Sequence, residues 1–282
     1  MAKVMIIDIT KCNGCYNCQI ACKDEHVGND WTPIAKPQPD TGQFWMRTED
    51  IVRGQVPKVK VAYMHHVCQH CDDAPCIAAC KSHAVYKRED GAVIIDPGKC
   101  TGQRNCLAAC PYGAIYYNED LQLAQKCTWC AHLLDEGWKE PRCVDACPTG
   151  ALKFGEEADF ADLIAGAEVL SAGAGDAGAA VGAAAPPKVR TYYIGIPKRF
   201  IAGSVYDPAQ DRCLEGVTVT VADEAGAPVA SRVTDSFGDF WVDGLPVGTF
   251  SVAFEKAGYR SKSLDGVDTT IDINVGDIEL SR

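Results

Sequence analysis

Sixteen cysteines stand in a chain of 282 residues, and fifteen of them fall between Cys12 and Cys147. They come in four runs. Cys12, Cys15, Cys18 and Cys22 follow C-x2-C-x2-C-x3-C, with Lys23 in place of a closing proline. Cys68, Cys71, Cys76 and Cys80 follow C-x2-C-x4-C-x3-C. Cys100, Cys106 and Cys110 fit that frame with Gln103 at the second position, and Pro111 follows. Cys127, Cys130, Cys143 and Cys147 fit it with twelve residues between the middle pair, and Pro148 follows. The runs close on related phrases: CQIAC, CIAAC, CLAAC and CVDAC.

Three chemistries use cysteine this densely. Disulfide frameworks belong to oxidising compartments and usually to small secreted domains. This chain is long, and MAKVMIIDITKC has no basic segment, apolar segment, cleavage site or twin arginine, so no export signal is expected. Structural zinc uses CxxC pairs separated by a long spacer. Only Cys127 and Cys130 with Cys143 and Cys147 approach that, and the second pair is wrongly spaced. The runs fit instead the iron–sulfur pattern C-x2-C-x2-C-x3-C-P. There the first three thiolates of a run hold one cluster, and the fourth turns to the other cluster of a pair. A single cysteine could equally be a small buried hydrophobe; the fifteen at these spacings are expected to be cluster ligands.

An internal repeat supports this. CKSHAVYKRED at 80–90, CPYGAIYYNED at 110–120 and CPTGALKFGEE at 147–157 align without gaps. Each reads as cysteine, turn and short strand, and 84–95 reads as a hairpin about Asp90-Gly91. Clusters would tie such a chain together, so the apoprotein is expected to be largely unfolded.

The expected architecture is α+β. A ferredoxin-like iron–sulfur domain of two two-cluster modules occupies 1–198. It carries a helix at 156–170 and an Ala/Gly/Pro-rich linker at 171–187. An all-β antiparallel sandwich or barrel of about seven strands occupies 199–282, where apolar residues alternate at period two between turn signals. That domain has 7 basic and 14 acidic residues, so net −7 of the chain's −11 resides there. The negative charge argues against nucleic acid as a partner. No apolar run reaches the length of a membrane span, so none is expected. Cys213 is expected to be an unliganded thiol. Of the histidines, His26, His65, His66, His70, His83 and His132, five sit within or beside cysteine runs. A ligand role is open to one only where a cysteine is missing; otherwise they would hydrogen-bond around a cluster and tune its potential. No nucleophile elbow, P-loop or dinucleotide fingerprint is present.

Residues 1–155 resemble the iron–sulfur subunit of the dimethyl sulfoxide reductase family of molybdopterin enzymes. The likeness is carried by the four runs and by PCIAAC followed by AVYKREDGAVIIDPGKCTGQRNCLAACPYGAI. The C-terminal domain resembles transthyretin-like or carboxypeptidase-regulatory-like modules. That combination is similar to the small subunits of transhydroxylases acting on polyhydroxylated aromatics, with catechol dehydroxylases next. A free-standing polyferredoxin shuttling electrons between enzymes is the alternative.

The resemblance implies a heterodimer with a large catalytic subunit that carries molybdopterin guanine dinucleotide with Mo or W. This chain would contribute electron transfer and no catalytic residue. It implies ligand exchange between runs: Cys12, Cys15 and Cys18 with Cys147; Cys127, Cys130 and Cys143 with Cys22; Cys68, Cys71 and Cys76 with Cys110. Those twelve would hold three [4Fe-4S] clusters. Cys80, Cys100 and Cys106 would form an incomplete fourth site, empty or of [3Fe-4S] type, because glutamine is a poor iron ligand beside thiolates. The expected location is cytoplasmic, unless a signal-bearing partner carries the chain across a membrane.

Overall fold

The structure is a computed structural model and describes residues 2–171 and 187–282. The stretch expected as a linker at 171–187 lies, from 172 to 186, outside the described residues. The chain divides into two compact units: Met1–Asp50 with Ala62–Ile196, and Ile51–Val61 with Pro197–Arg282.

The first unit is organised on a short central strand. In β1 (Lys3–Asp8) the run Val4, Met5, Ile6 and Ile7 is wholly buried, as a strand covered on both faces requires. It pairs antiparallel with β8 (Leu152–Glu156) and parallel with β9 (Thr191–Ile194). Between these ends lie the hairpin β2 (Met46–Gln55) and β3 (Lys58–Val67) and two small hairpins. β4 (Val85–Lys87) pairs with β5 (Val93–Ile95), and β6 (Tyr116–Asn118) with β7 (Leu123–Gln125). The first small hairpin turns where expected. Asp90 Oδ1 accepts the Ala92 N–H at 3.0 Å, and Gly91 takes φ +93°, a conformation glycine adopts without steric cost.

The helices are α1 (Asn17–His26), α2 (Pro75–Ala79), α3 (Asn105–Ala109), α4 (Ala131–Asp135), α5 (Arg142–Asp145) and α6 (Ala161–Ala165). The helix expected at 156–170 is corrected. Strand β8 runs on to Glu156, a 3-10 turn takes Glu157–Phe160, and α6 is one five-residue stretch. No residue of that turn or of α6 is buried, so the apolar spacing has no face to pack. Beyond Gly166, Glu168 exchanges two backbone hydrogen bonds with Tyr193, at 2.7 and 2.8 Å, and the chain is extended. Among the described residues no helix is long and apolar enough to cross a membrane.

The second unit has eight strands from the C-terminal region. They are β10 (Arg199–Asp207), β11 (Arg212–Cys213), β12 (Thr218–Ala222), β13 (Pro228–Val233), β14 (Asp239–Leu245), β15 (Thr249–Glu255), β16 (Lys262–Asp268) and β17 (Ile273–Glu279). One sheet joins β11, β10 and β14 with β17 also on β10; the other runs β13-β12-β15-β16. Both sheets feed one core, including Ile201, Val205, Val219, Val221, Phe240, Val242, Val252, Phe254 and Ile278. The all-antiparallel expectation is corrected at one place: β17 runs parallel to β10. Residues 51–61 group with this unit. Arg53 Nη1 donates to Lys198 O at 2.7 Å and to the buried Asp272 Oδ1 at 3.3 Å, and Lys58 pairs with Asp239.

Candidate metal centre

The cysteine loops are set by backbone conformation. Cys12 follows a 3-10 turn, Ile9–Lys11, and the chain then passes through Gly14 at φ +71° and Tyr16 at φ 61° before α1 begins. Arg104 before α3 and Cys130 before α4 adopt the same left-handed conformation. Each lets a short helix start straight out of a cysteine loop, and in α1 and α3 the next cysteine, Cys18 or Cys106, is buried in the first turn.

Thiols from distant runs meet. Cys12, Cys15, Cys18 and Cys147 line one small cavity together with Thr48, His65 and Thr149. Burial raises the Cys12 thiol above its usual value, and the Cys15 and Cys147 sulfurs add to the rise. Cys22 is driven far up, first by burial and then by Cys127 and Cys130; Cys143 rises the same way beside Cys130, Cys22 and Cys127. Burial pushes Cys71 up to about 12, with Cys68, Cys110 and Cys76 contributing. Cys80, Cys100 and Cys106 line a further cavity with Gln103, Ser82 and Arg104, and no histidine lines it. Cys213 is exposed and far along the chain from all of these.

The surroundings suit soft thiolate chemistry. After Cys80, Cys110 and Cys147 the chain folds back so that N–H groups reach the sulfur. These come from Ser82, Ala84 and Val85, from Tyr112 and Ala114, and from Thr149, Ala151 and Leu152. The repeat seen in sequence is thus a repeated N–H nest. Around Cys80 and Cys147 burial alone would raise the thiol. Hydrogen bonds from Ser82, or from Leu152 and Thr149, outweigh it, and both fall below the usual value. Other polar groups also approach sulfur: Thr48 Oγ1 lies 3.6 Å from Cys18, and the Trp129 N–H donates to Cys127 at 3.5 Å. His65 Nε2 lies 3.8 Å from Cys12, and His26 Nε2 lies 3.8 Å from Cys130. Burial holds both imidazoles neutral, His26 down to about 3 and His65 to about 4. Thiolate sulfurs ringed by N–H and O–H donors are the kind of donor set iron–sulfur centres use.

Two residues of this region carry no signal in the local sequence. Lys126, directly before Cys127, is buried and donates to the Val93 and Cys127 carbonyls. His70 accepts the Val93 N–H on Nδ1 at 2.9 Å and stacks on Trp129 at 4.0 Å between ring centres. Both burials arise from chain segments more than twenty residues away, so no local periodicity announces them.

A family model described as a 4Fe-4S dicluster domain matches residues 59–157, and a carboxypeptidase regulatory-like domain matches residues 201–280. The pyrogallol hydroxytransferase small subunit of Pelobacter acidigallici is 37% identical over 98% of this chain and 98% of that protein. A tetrathionate reductase subunit of Salmonella typhimurium is 35% identical over 47% of this chain and 50% of its own length. An anaerobic dimethyl sulfoxide reductase polypeptide of Escherichia coli is 39% identical over 47% and 63%.

These findings correct the cofactor expectation of three [4Fe-4S] clusters with a possible [3Fe-4S] fourth. The family match gives one 4Fe-4S dicluster domain. Among the described residues no group of three or more His, Cys, Asp or Glu is disposed to hold a metal ion. Thiols from different runs share cavities, but among the described residues none of these gatherings forms a group disposed to hold a metal ion.

Proposed function

The chain belongs to the iron–sulfur small subunits of the dimethyl sulfoxide reductase family of molybdopterin enzymes and is an electron-transfer subunit; on that premise we propose that it serves a large catalytic molybdopterin subunit acting on a polyhydroxylated aromatic. The observation that carries the proposal is the extent of the likeness. The reductase subunits match about half of the chain, whereas the small subunit named for pyrogallol matches both its cysteine region and its β-rich region. We further propose that the thiol groups gathered from different runs are the ligands of the 4Fe-4S dicluster domain. Iron and sulfide held there supply one-electron chemistry. The chain's own contribution is to bury the thiols, aim N–H groups at them and keep water away.

The test is affinity purification of the chain from its native cells, with identification of whatever large subunit comes with it. The proposal expects a stable stoichiometric complex whose iron–sulfur absorbance bleaches with dithionite and responds to pyrogallol-type substrates. A chain that purifies alone and passes electrons equally well to unrelated acceptors would overturn it in favour of a free-standing polyferredoxin.

A further inference from the structure

Lys126 is 1% exposed, and lysine is almost never buried so fully unless its charge is paired. Its Nζ donates to two carbonyl oxygens, of Val93 in β5 and, at 2.9 Å, of Cys127. Carbonyls satisfy hydrogen bonds but do not neutralise charge. Among the described residues it forms no ion pair with a carboxylate. A lone ammonium in such a place is costly, as any buried unpaired ion is.

Through the Cys127 carbonyl the ammonium is tied directly to a residue of the cysteine region. Its field reaches the thiols of Cys76 and Cys110 on one side and Cys127 on the other, in each case favouring the thiolate. Cys76 and Cys110 belong to the group with Cys68 and Cys71, and Cys127 to the group with Cys22, Cys130 and Cys143. The two groups adjoin, since Cys68 and Cys127 also feel each other. The neighbour imidazole of His70 is kept neutral, first by burial and then by Lys126 and Lys87. Among the described residues no carboxylate pairs with Lys126, and the groups whose ionised form its charge favours are the thiols of Cys76, Cys110 and Cys127.

We propose that the Lys126 ammonium is a fixed counter-charge shared by these two adjoining thiol groups, and that it stabilises the reduced form of the iron–sulfur centre they hold. One-electron reduction by an external donor adds one negative charge to the centre and requires no proton. A buried cation already in place offsets that charge without reorganisation, so reduction becomes easier and the potential rises. Lys126 is on this account a positioning residue for charge, not a ligand. The inference rests on the iron–sulfur assignment above.

The experiment is a redox titration of the full-length iron-loaded chain, followed by electron paramagnetic resonance, for the unmodified protein, Lys126→Gln and Lys126→Arg. Dithionite is the reductant and ferricyanide the oxidant. The glutamine variant is expected to shift at least one midpoint to more negative potential by tenfold or more in the reduction equilibrium, about 59 mV for one electron. The arginine variant is expected to stay close to the unmodified protein. A glutamine variant with full iron content and unshifted potentials overturns the inference. So does an arginine variant shifted as far as the glutamine one, because shape and not charge would then matter. If Lys126→Gln fails to load iron while Lys126→Arg loads it, the counter-charge is supported at assembly; if neither loads, shape is the requirement and the inference falls. An unmodified protein with no reducible iron–sulfur signal overturns instead the functional assignment beneath it.

Discussion

Gly14 illustrates how one residue shapes a cysteine loop. It sits between Cys12 and Cys15 at φ +71°, and a Cβ built on it would lie 2.2 Å from Tyr63 Cζ and 2.3 Å from Cε1. Left-handed backbone costs an L-residue about 1–2 kcal/mol, and the overlap with the ring adds to that. Gly14→Ala is therefore expected to lower the melting temperature and the iron content of the purified chain. Tyr63→Ala in the same background should recover the part due to overlap and leave the backbone part. A Gly14→Ala protein with unchanged melting and iron would show that the loop tolerates another course. The sequence marks Gly14 only as part of CNGC, since Tyr63 approaches from a strand nearly fifty positions on.

Between residues and units stand the cysteine runs and hairpins, where the repeat is readable in sequence and long-range pairing is not. The repeated phrases that begin at Cys80, Cys110 and Cys147 announce cysteine, turn and strand because the turn chemistry is local. The helix expected at 156–170 fails for the complementary reason. Apolar spacing can mimic a helical face, and only the pairing of Glu168 with Tyr193 decides that the chain extends there. The meeting of Cys147 with Cys12 and Cys18 is likewise long-range, 129 positions separating Cys18 from Cys147. It gives a sharp test of the proposed ligand exchange. Cys147→Ser is expected to change the iron–sulfur signal in the way Cys12→Ser or Cys18→Ser does, and not in the way Cys127→Ser or Cys130→Ser does. A Cys147→Ser protein that instead matches Cys127→Ser would mean that the fourth run is self-contained.

At the scale of the whole molecule, the chain order and the compact units do not coincide, because residues 51–61 group with the C-terminal strands. The alternation along 199–282 is legible as strands with an inward face, since period two needs only local sequence. Strand direction is not, for a parallel and an antiparallel strand alternate alike, and so β17 on β10 could not be foreseen. Nor could the reach of Arg53 to Asp272, which bridges 219 positions. These facts sharpen the expectation for the C-terminal region alone. Its core is drawn from its own strands, so Pro197–Arg282 should fold without iron and give a β-type circular dichroism spectrum. It should nevertheless be less stable than the same region in the full chain. Without Arg53, the partners that remain to the Asp272 carboxylate among the described residues are the Phe200 N–H at 3.0 Å and Arg199 at 3.7 Å. Losing one partner of a buried ion pair costs about 3 kcal/mol. Asp272→Asn should then cost less in the isolated region than in the full chain, as urea unfolding of the four proteins would measure. A random-coil spectrum would deny the region its own core, and equal costs of Asp272→Asn in both settings would deny the Arg53 pair its part in holding it.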